Sequence, residues 1–228
     1  MMAPPVRARA AAALAPVLAA ALIGLLTGGC ALYEKARKAG KELSNPYETQ
    51  RLTEQQEIAL IDSMRAKGSY EAARQRLNNT ARVIGERISA AVPGQTWKFG
   101  DDPYGLESRR QGGLCDRLEA DIARRPIADG IVFGRTFTAN EFTTAAGIVR
   151  EEAAKYGATD QSWLFNEASK RDYTVSGNGY DFNLGQIKFA TLEITGDCRL
   201  LQKVIELPPG QLPPEEPPIL PTMPKPTP

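Results

Sequence analysis

Ten of the chain's 17 prolines fall between Pro208 and Pro228. A segment so poor in backbone N–H groups cannot enter a β-ladder or a helix interior, so it is expected to sample polyproline II and stay disordered. The other end is equally restricted. Arg7 and Arg9 precede a mostly Ala/Leu run from Ala10 to Leu26, and Thr27-Gly28-Gly29-Cys30 closes it with small residues and a cysteine. That is the layout of a secretory leader ending in a lipobox, with Cys30 as the acylated residue. An ordinary leader and an uncleaved anchor are the alternatives. The second is the weaker, because roughly 20 apolar residues are needed to cross a bilayer and Pro16 divides this run. The expected organisation is therefore a signal peptide (1–29), a lipid-anchored tether (30–52), a folded domain (53–206) and a Pro-rich tail (207–228).

Two or three acyl chains on Cys30 suffice for stable anchoring where one would not, which makes membrane lipid a partner and the extracytoplasmic face of the cell membrane the location. The tether is polar, and a flexible segment of this length averages roughly 25 Å end to end. Without the leader the chain carries 26 basic and 27 acidic residues. Such a balance argues against a nucleic-acid partner, which requires concentrated Lys and Arg. Of three cysteines, lipidation of Cys30 leaves Cys115 and Cys198. In an oxidising compartment this pair reads as one disulfide, with two buried thiols as the alternative.

Within the domain, Thr53 and Gln56 have the spacing of a capping box, which predicts a helix to about Lys67. Gly68 fits a C-terminal cap. Ser69 then caps a second helix whose apolar stripe runs Tyr70, Ala73, Leu77, Ala81, Ile84, Ile88 and Val92 to a stop at Pro93-Gly94. Gln95–Phe99 reads as a short strand and Gly100–Gly113 as a polar loop. Residues 115–125 are compatible with helix or strand and are expected only to be structured and partly buried. Gly130–Phe137 reads as a strand. Thr138 and Glu141 open another helix that buries Phe142, Ala145, Val149, Ala153 and Tyr156 and stops at Gly157. Asp172–Ser176 and the alternating Tyr180, Phe182 and Leu184 flank Gly177-Asn178-Gly179 as a hairpin. Ile187–Thr195 is a further strand, and Cys198–Val204, with Leu200 and Ile205, is expected to close the sheet. The order fits one α+β domain with helices packed on a largely antiparallel sheet.

Several stretches together resemble one family: LTEQQEIALIDSMRAKGSYEAARQRL (52–77), VPGQTWKF (92–99), CDRLEADIARRPIADGIVFG (115–134), IVREEAAKYGAT (148–159) and GNGYDFNLGQIKFATLEITGDC (177–198). They are similar to the LppA/LppV-type lipoproteins of mycobacteria, from about Leu52 into the tail, while Thr27 departs from the aliphatic residue usual in a lipobox. The resemblance implies a membrane-anchored envelope lipoprotein. It brings no assigned reaction.

The chain has no histidine, which removes Ser/His/Asp and Cys/His catalysis and the commonest zinc sites. No metal or cofactor is indicated. Carboxylate chemistry remains, with Glu151-Glu152, Asp101-Asp102 and Glu119 with Asp121 as candidates. Neighbouring carboxylates on a helix point about 100° apart, so Glu151-Glu152 reads as a solvated face. Asp101-Asp102 lacks the spaced acids of a calcium loop. Gly177-Asn178-Gly179 is too short for a phosphate cradle, and Arg124-Arg125 reads as two exposed arginines rather than an anion clamp. Trp97 and Trp163 either fill the core or form a binding surface where sheet meets helices, in a pocket expected to be mostly apolar. Two function classes follow. One is a non-catalytic binding or structural module for an envelope lipid, glycan, peptide or protein. The other is an extracytoplasmic carboxylate-dependent hydrolase drawing on Glu119, Asp121, Glu167 or Asp181, which needs a deep cavity with two carboxyls about 5–10 Å apart. With no complete catalytic motif, the first is preferred.

Overall fold

The computed structural model describes residues 52–214. The leader, Cys30, nearly all of the tether and most of the Pro-rich tail lie outside the described residues.

Helix α1 (Glu54–Met64) begins at the Thr53 capping box: the Thr53 N–H donates to Gln56 Oε1 at 3.0 Å and the Gln56 N–H to Thr53 Oγ1 at 3.4 Å. A 3-10 turn (Arg65–Lys67) tightens its end, and Gly68 at φ 82° releases the chain into Ser69, which caps α2 (Tyr70–Ala91). All seven residues of the predicted stripe are buried. Strand β1 (Trp97–Phe99) follows. The predicted polar loop then contains a helix, α3 (Pro103–Gln111), with Asp102 Oδ2 accepting from the Gly105 N–H and Pro103 in the first turn. It buries no residue, so it has no apolar period to read; the signal that could have found it is Asp102 as a cap directly ahead of Pro103.

Residues 115–125 are mostly turns around the two-residue β2 (Ala123–Arg124), with Leu118, Ile122 and Ala123 buried. Strand β3 (Ile131–Phe133) is shorter than predicted. After it the chain bends toward the Thr138 capping box of α4 (Ala139–Ala154), and the buried Gln186 amide satisfies both the N–H and the C=O of Phe137 on the way. Four longer strands come next: β4 (Asp160–Asn166), β5 (Arg171–Gly177), β6 (Tyr180–Gln186) and β7 (Ala190–Thr195). Strand β4 has no counterpart in the sequence reading, because every one of its residues is exposed and no alternation marks it.

The six-stranded sheet has the order β1-β3-β7-β6-β5-β4 and is antiparallel throughout. In the β5–β6 hairpin Gly177 pairs with Tyr180 across Asn178 (φ 51°) and Gly179 (φ 80°). Both central residues are left-handed, the geometry whose twist matches that of the strands. Ile187–Phe189, predicted as strand, is instead the β6–β7 turn, where the Ile187 N–H donates to Phe189 O. Cys198–Val204 does not close this sheet. Its β8 (Arg199–Leu200) pairs with β2 in a separate two-stranded ladder, and α5 (Gln202–Ile205) follows at once.

Helices α2 and α4 pack on one face of the six-stranded sheet, where Ile84, Ile88, Phe142, Val149, Tyr173, Phe182, Leu184 and Leu192 make the main core. A smaller cluster unites α1, β2, β8 and α5 through Ile61, Met64, Leu118, Ile122, Leu200 and Val204, with Cys115 and Cys198 packed against it. Those cysteines form a disulfide with Cα atoms 6.0 Å apart. Arg65 locks the same cluster: its Nη1 donates to the carbonyls of Val204, Ile205 and Leu207, satisfying acceptors that the end of α5 leaves open.

Candidate functional site

The two tryptophans singled out in the sequence lie on opposite edge strands, Trp97 on β1 and Trp163 on β4. Trp97 is half-buried against the helix layer, in edge-to-face contact with Phe99 at 5.4 Å, and closes over Gly85 of α2. It is a packing residue. Trp163 leans on Tyr173 and Phe142, with ring centroids 4.5 and 6.1 Å away, and stays 45% exposed.

Beside Trp163, between α4 and the β4–β5 pair, lies a cleft of about 250 Å³. The local sequence explains its make-up. On β5 the residues facing the helices are Arg171, Tyr173 and Val175, so the alternation that buries two core side chains also turns an arginine inward. Arg171 is 7% exposed. Its Nη1 donates to Ala168 O at 2.9 Å, and its Cζ lies 5.9 Å from the centre of the Phe142 ring. From α4, Arg150 enters the cleft one turn beyond Ala146 and Gly147. Among the described residues no carboxylate forms an ion pair with either arginine. Gln161 and Asn166 complete the rim, with Gln161 Oε1 accepting from the Tyr173 hydroxyl at 2.9 Å. Burial pushes that hydroxyl's pKa up, against the opposing pull of Arg150. The site is thus more polar and more basic than the mostly apolar pocket expected near Trp163.

A second cleft of about 390 Å³ opens at the same end of the sheet, where Phe165, Ile187 and Phe189 surround Asp172 and Gly185. Ile187 and Phe189 are 62% and 69% exposed. Arg171 lines both clefts.

The acids named in the sequence do not gather at either place. Asp181 pairs with Arg125 at 3.3 Å. Glu119 and Asp121 lie near Glu57, whose pKa is raised first by burial and then by their charges. Glu167 sits in the β4–β5 turn, its N–H donating to Lys170 O. None lines either of these two clefts, and among the described residues no three acidic or cysteine side chains are grouped to hold a metal ion. Asp101 pairs with Lys98, and Asp102 is spent on its helix cap.

Two further expectations are corrected. Glu152 is not on a solvated face but only 4% exposed, held by Arg87 of α2 and by Lys155. Arg124 and Arg125 are not free surface charges. Arg124 donates to Ala120 O and Gln111 O, and Arg125 to Gly196 O, so both brace backbone carbonyls. Sequence reasoning missed Arg150 and Arg171, which lie on different elements; the available signal was an arginine in phase with Tyr173 and Val175.

Comparisons with known proteins agree on one group. The family LppA, described as a lipoprotein confined to pathogenic Mycobacterium, matches residues 46–202. LppA of Mycobacterium tuberculosis is 62% identical over 209 residues, covering 90% of each chain. LppB of the same organism is 60% identical over 215 residues, covering 93% of each. Among solved structures, the crystal structure of LppA from Mycobacterium tuberculosis superposes with a TM-score of 0.69 at 70% identity, over 70% of this chain and 95% of that one.

Proposed function

This chain belongs to the LppA lipoprotein family, and on that premise we propose that it is a membrane-anchored, extracytoplasmic binding module without catalytic activity. The leader (1–29) delivers it, acylated Cys30 anchors it, and the tether (30–52) holds the α+β domain off the lipid surface. No helix among the described residues is long and apolar enough to cross a membrane, which is compatible with anchoring by acyl chains.

The observation that carries the reading is the Trp163 cleft. It brings aromatic rings, amide groups and two arginines together, yet contains no carboxylate, thiol or hydroxyl–base pair. Such a set recognises a ligand but has no group to accept a proton from an attacking water. The hydrolase alternative needs a convergent acid pair, and neither cleft has one.

The test is a screen of the detergent-solubilised full chain against envelope lipids, glycans and hydrolase substrates. Binding without turnover is expected. Turnover that disappears on Asp181→Asn or Glu119→Gln, with the fold intact, overturns the reading. For the anchor, Cys30→Ala should abolish labelling by a fatty-acid probe and free the protein from membranes or leave it as precursor; equal labelling rejects acylation at Cys30.

A further inference from the structure

We propose that the Trp163 cleft binds a small anionic sugar: a single ring carrying a phosphate or carboxylate, with Arg150 and Arg171 meeting the charge and Trp163 the ring. This rests on the binding reading above and names the ligand class for the same site.

The charge requirement comes from Arg171. A guanidinium is always ionised and offers five N–H donors, and burial without a counter-charge is costly unless something compensates. Arg171 is 7% exposed as a residue, and among the described residues its guanidinium makes one hydrogen bond, to Ala168 O, and pairs with no carboxylate. Its remaining donors are not sealed in the core but open into the cleft, with the Phe142 ring beneath them. An oxyanion placed between Arg171 and Arg150 would take up those donors, and the planar fork matches carboxylate and phosphate geometry in two parallel bonds.

The rest of the lining selects what the anion is attached to. Trp163 is braced by Tyr173 and Phe142, both rings tilted against it, and stays 45% exposed, an aromatic surface of the kind that packs against the C–H face of a sugar. Among the described residues the Asn166 amide has no hydrogen-bond partner, and the Gln161 amide uses only its oxygen, on the Tyr173 hydroxyl. Free amide donors beside an aromatic ring suit neighbouring hydroxyls. A cleft of about 250 Å³ lies just below the roughly 300–1,000 Å³ of pockets that hold drug-sized ligands, a size that suits a single ring.

The chain has two tryptophans. Trp97 lies on the far edge strand, so a ligand-dependent change in fluorescence reports on Trp163. The detergent-solubilised full chain is titrated with glucose 6-phosphate, glucuronate, glucose and inorganic phosphate, by fluorescence and by calorimetry. The two anionic sugars should bind saturably at millimolar concentration or below, and glucose and inorganic phosphate at least tenfold more weakly. Arg150→Gln should weaken the anionic sugars roughly tenfold or more, the range for loss of a charge-assisted bond. Because Arg150 is exposed, this variant tests the charge without the folding risk of replacing Arg171. Trp163→Leu should weaken them severalfold and remove the fluorescence change. Glucose binding as well as its phosphate overturns the proposal, and so does inorganic phosphate binding as well as the sugar phosphate. Absence of binding by all four probes also overturns it while leaving the broader binding reading in place. Turnover of any probe would remove both.

Discussion

Arg87 on α2 donates to Glu152 on α4, Nη1 to Oε1 at 2.7 Å, and so joins the two helices that cover the sheet through a carboxylate only 4% exposed. Burial alone would raise the pKa of Glu152, but the bonds from Lys155 and Arg87 outweigh it and the net shift is downward. Glu152→Gln should therefore cost about 2 kcal/mol, the size of a charge-assisted hydrogen bond in a partly screened setting. Urea denaturation checks this; an unchanged midpoint would show that the pair is ornamental.

Acid should act through the same kind of group. The Arg135 fork, followed by the Thr138 backbone N–H, holds Glu141 down at about 2 from an ordinary 4.5. A carboxylate with a depressed folded pKa contributes stability above its unfolded value and loses it as pH falls through the folded one. The denaturation midpoint should thus decline between about pH 4.5 and 2, and decline less steeply in Glu141→Gln. Identical pH profiles for the two proteins would contradict the assignment.

Glycines 85 and 147 should respond to alanine with opposite sign. A Cβ at Gly85 would stand 2.5 Å from Trp97 Cδ2, whereas one at Gly147 meets nothing within 4 Å. Gly147→Ala should stabilise by about 0.5–1 kcal/mol through helix propensity. Gly85→Ala should lose that gain to overpacking and come out about 1–2 kcal/mol less stable. Thermal melts of the two variants decide it. Gly147→Ala also narrows the cleft beside Trp163, so weaker ligand binding in a more stable protein is expected.

Reduction of the Cys115–Cys198 bond, which spans 83 residues, should lower stability by up to about 4.5 kcal/mol on the chain-entropy account. The comparison is denaturation with and without reductant, with Cys115→Ala/Cys198→Ala as the unbridgeable control. If reductant shifts the control as much as the native chain, the effect is not the disulfide's.

What was legible in the sequence had local chemistry behind it. The Thr53 and Thr138 boxes, the α2 stripe and the Asn178-Gly179 turn are each set by residues a few positions apart, and each stands where it was expected. Helix α3 and strand β4 were not legible as elements, since neither buries a residue and hydrophobic period is the signal that reading depends on. The segment after Cys198 misled because Leu200 is buried, but in the small cluster rather than under the large sheet. At the candidate site Trp163 was visible as an aromatic with two readings. The arginines beside it were not, because only the packing of α4 on β5 brings residues 150 and 171 to one cleft.

Strands β3 to β7 and helix α4 all lie between Cys115 and Cys198. Everything that builds the large sheet except β1 is therefore enclosed in a covalent ring. A protease that severs an exposed turn within the ring, such as Ile187–Phe189, converts it to two strings still tied at one knot, and the pieces part only when a reductant follows. Tension applied from residue 52 and residue 214 likewise cannot draw out the stretch held inside, a separation of 83 positions from one cysteine to the other, a withheld length of roughly 280 Å when extended. The segments that can yield to such a pull are those outside the ring: α1, α2, β1 and α3 before Cys115, and β8 and α5 after Cys198.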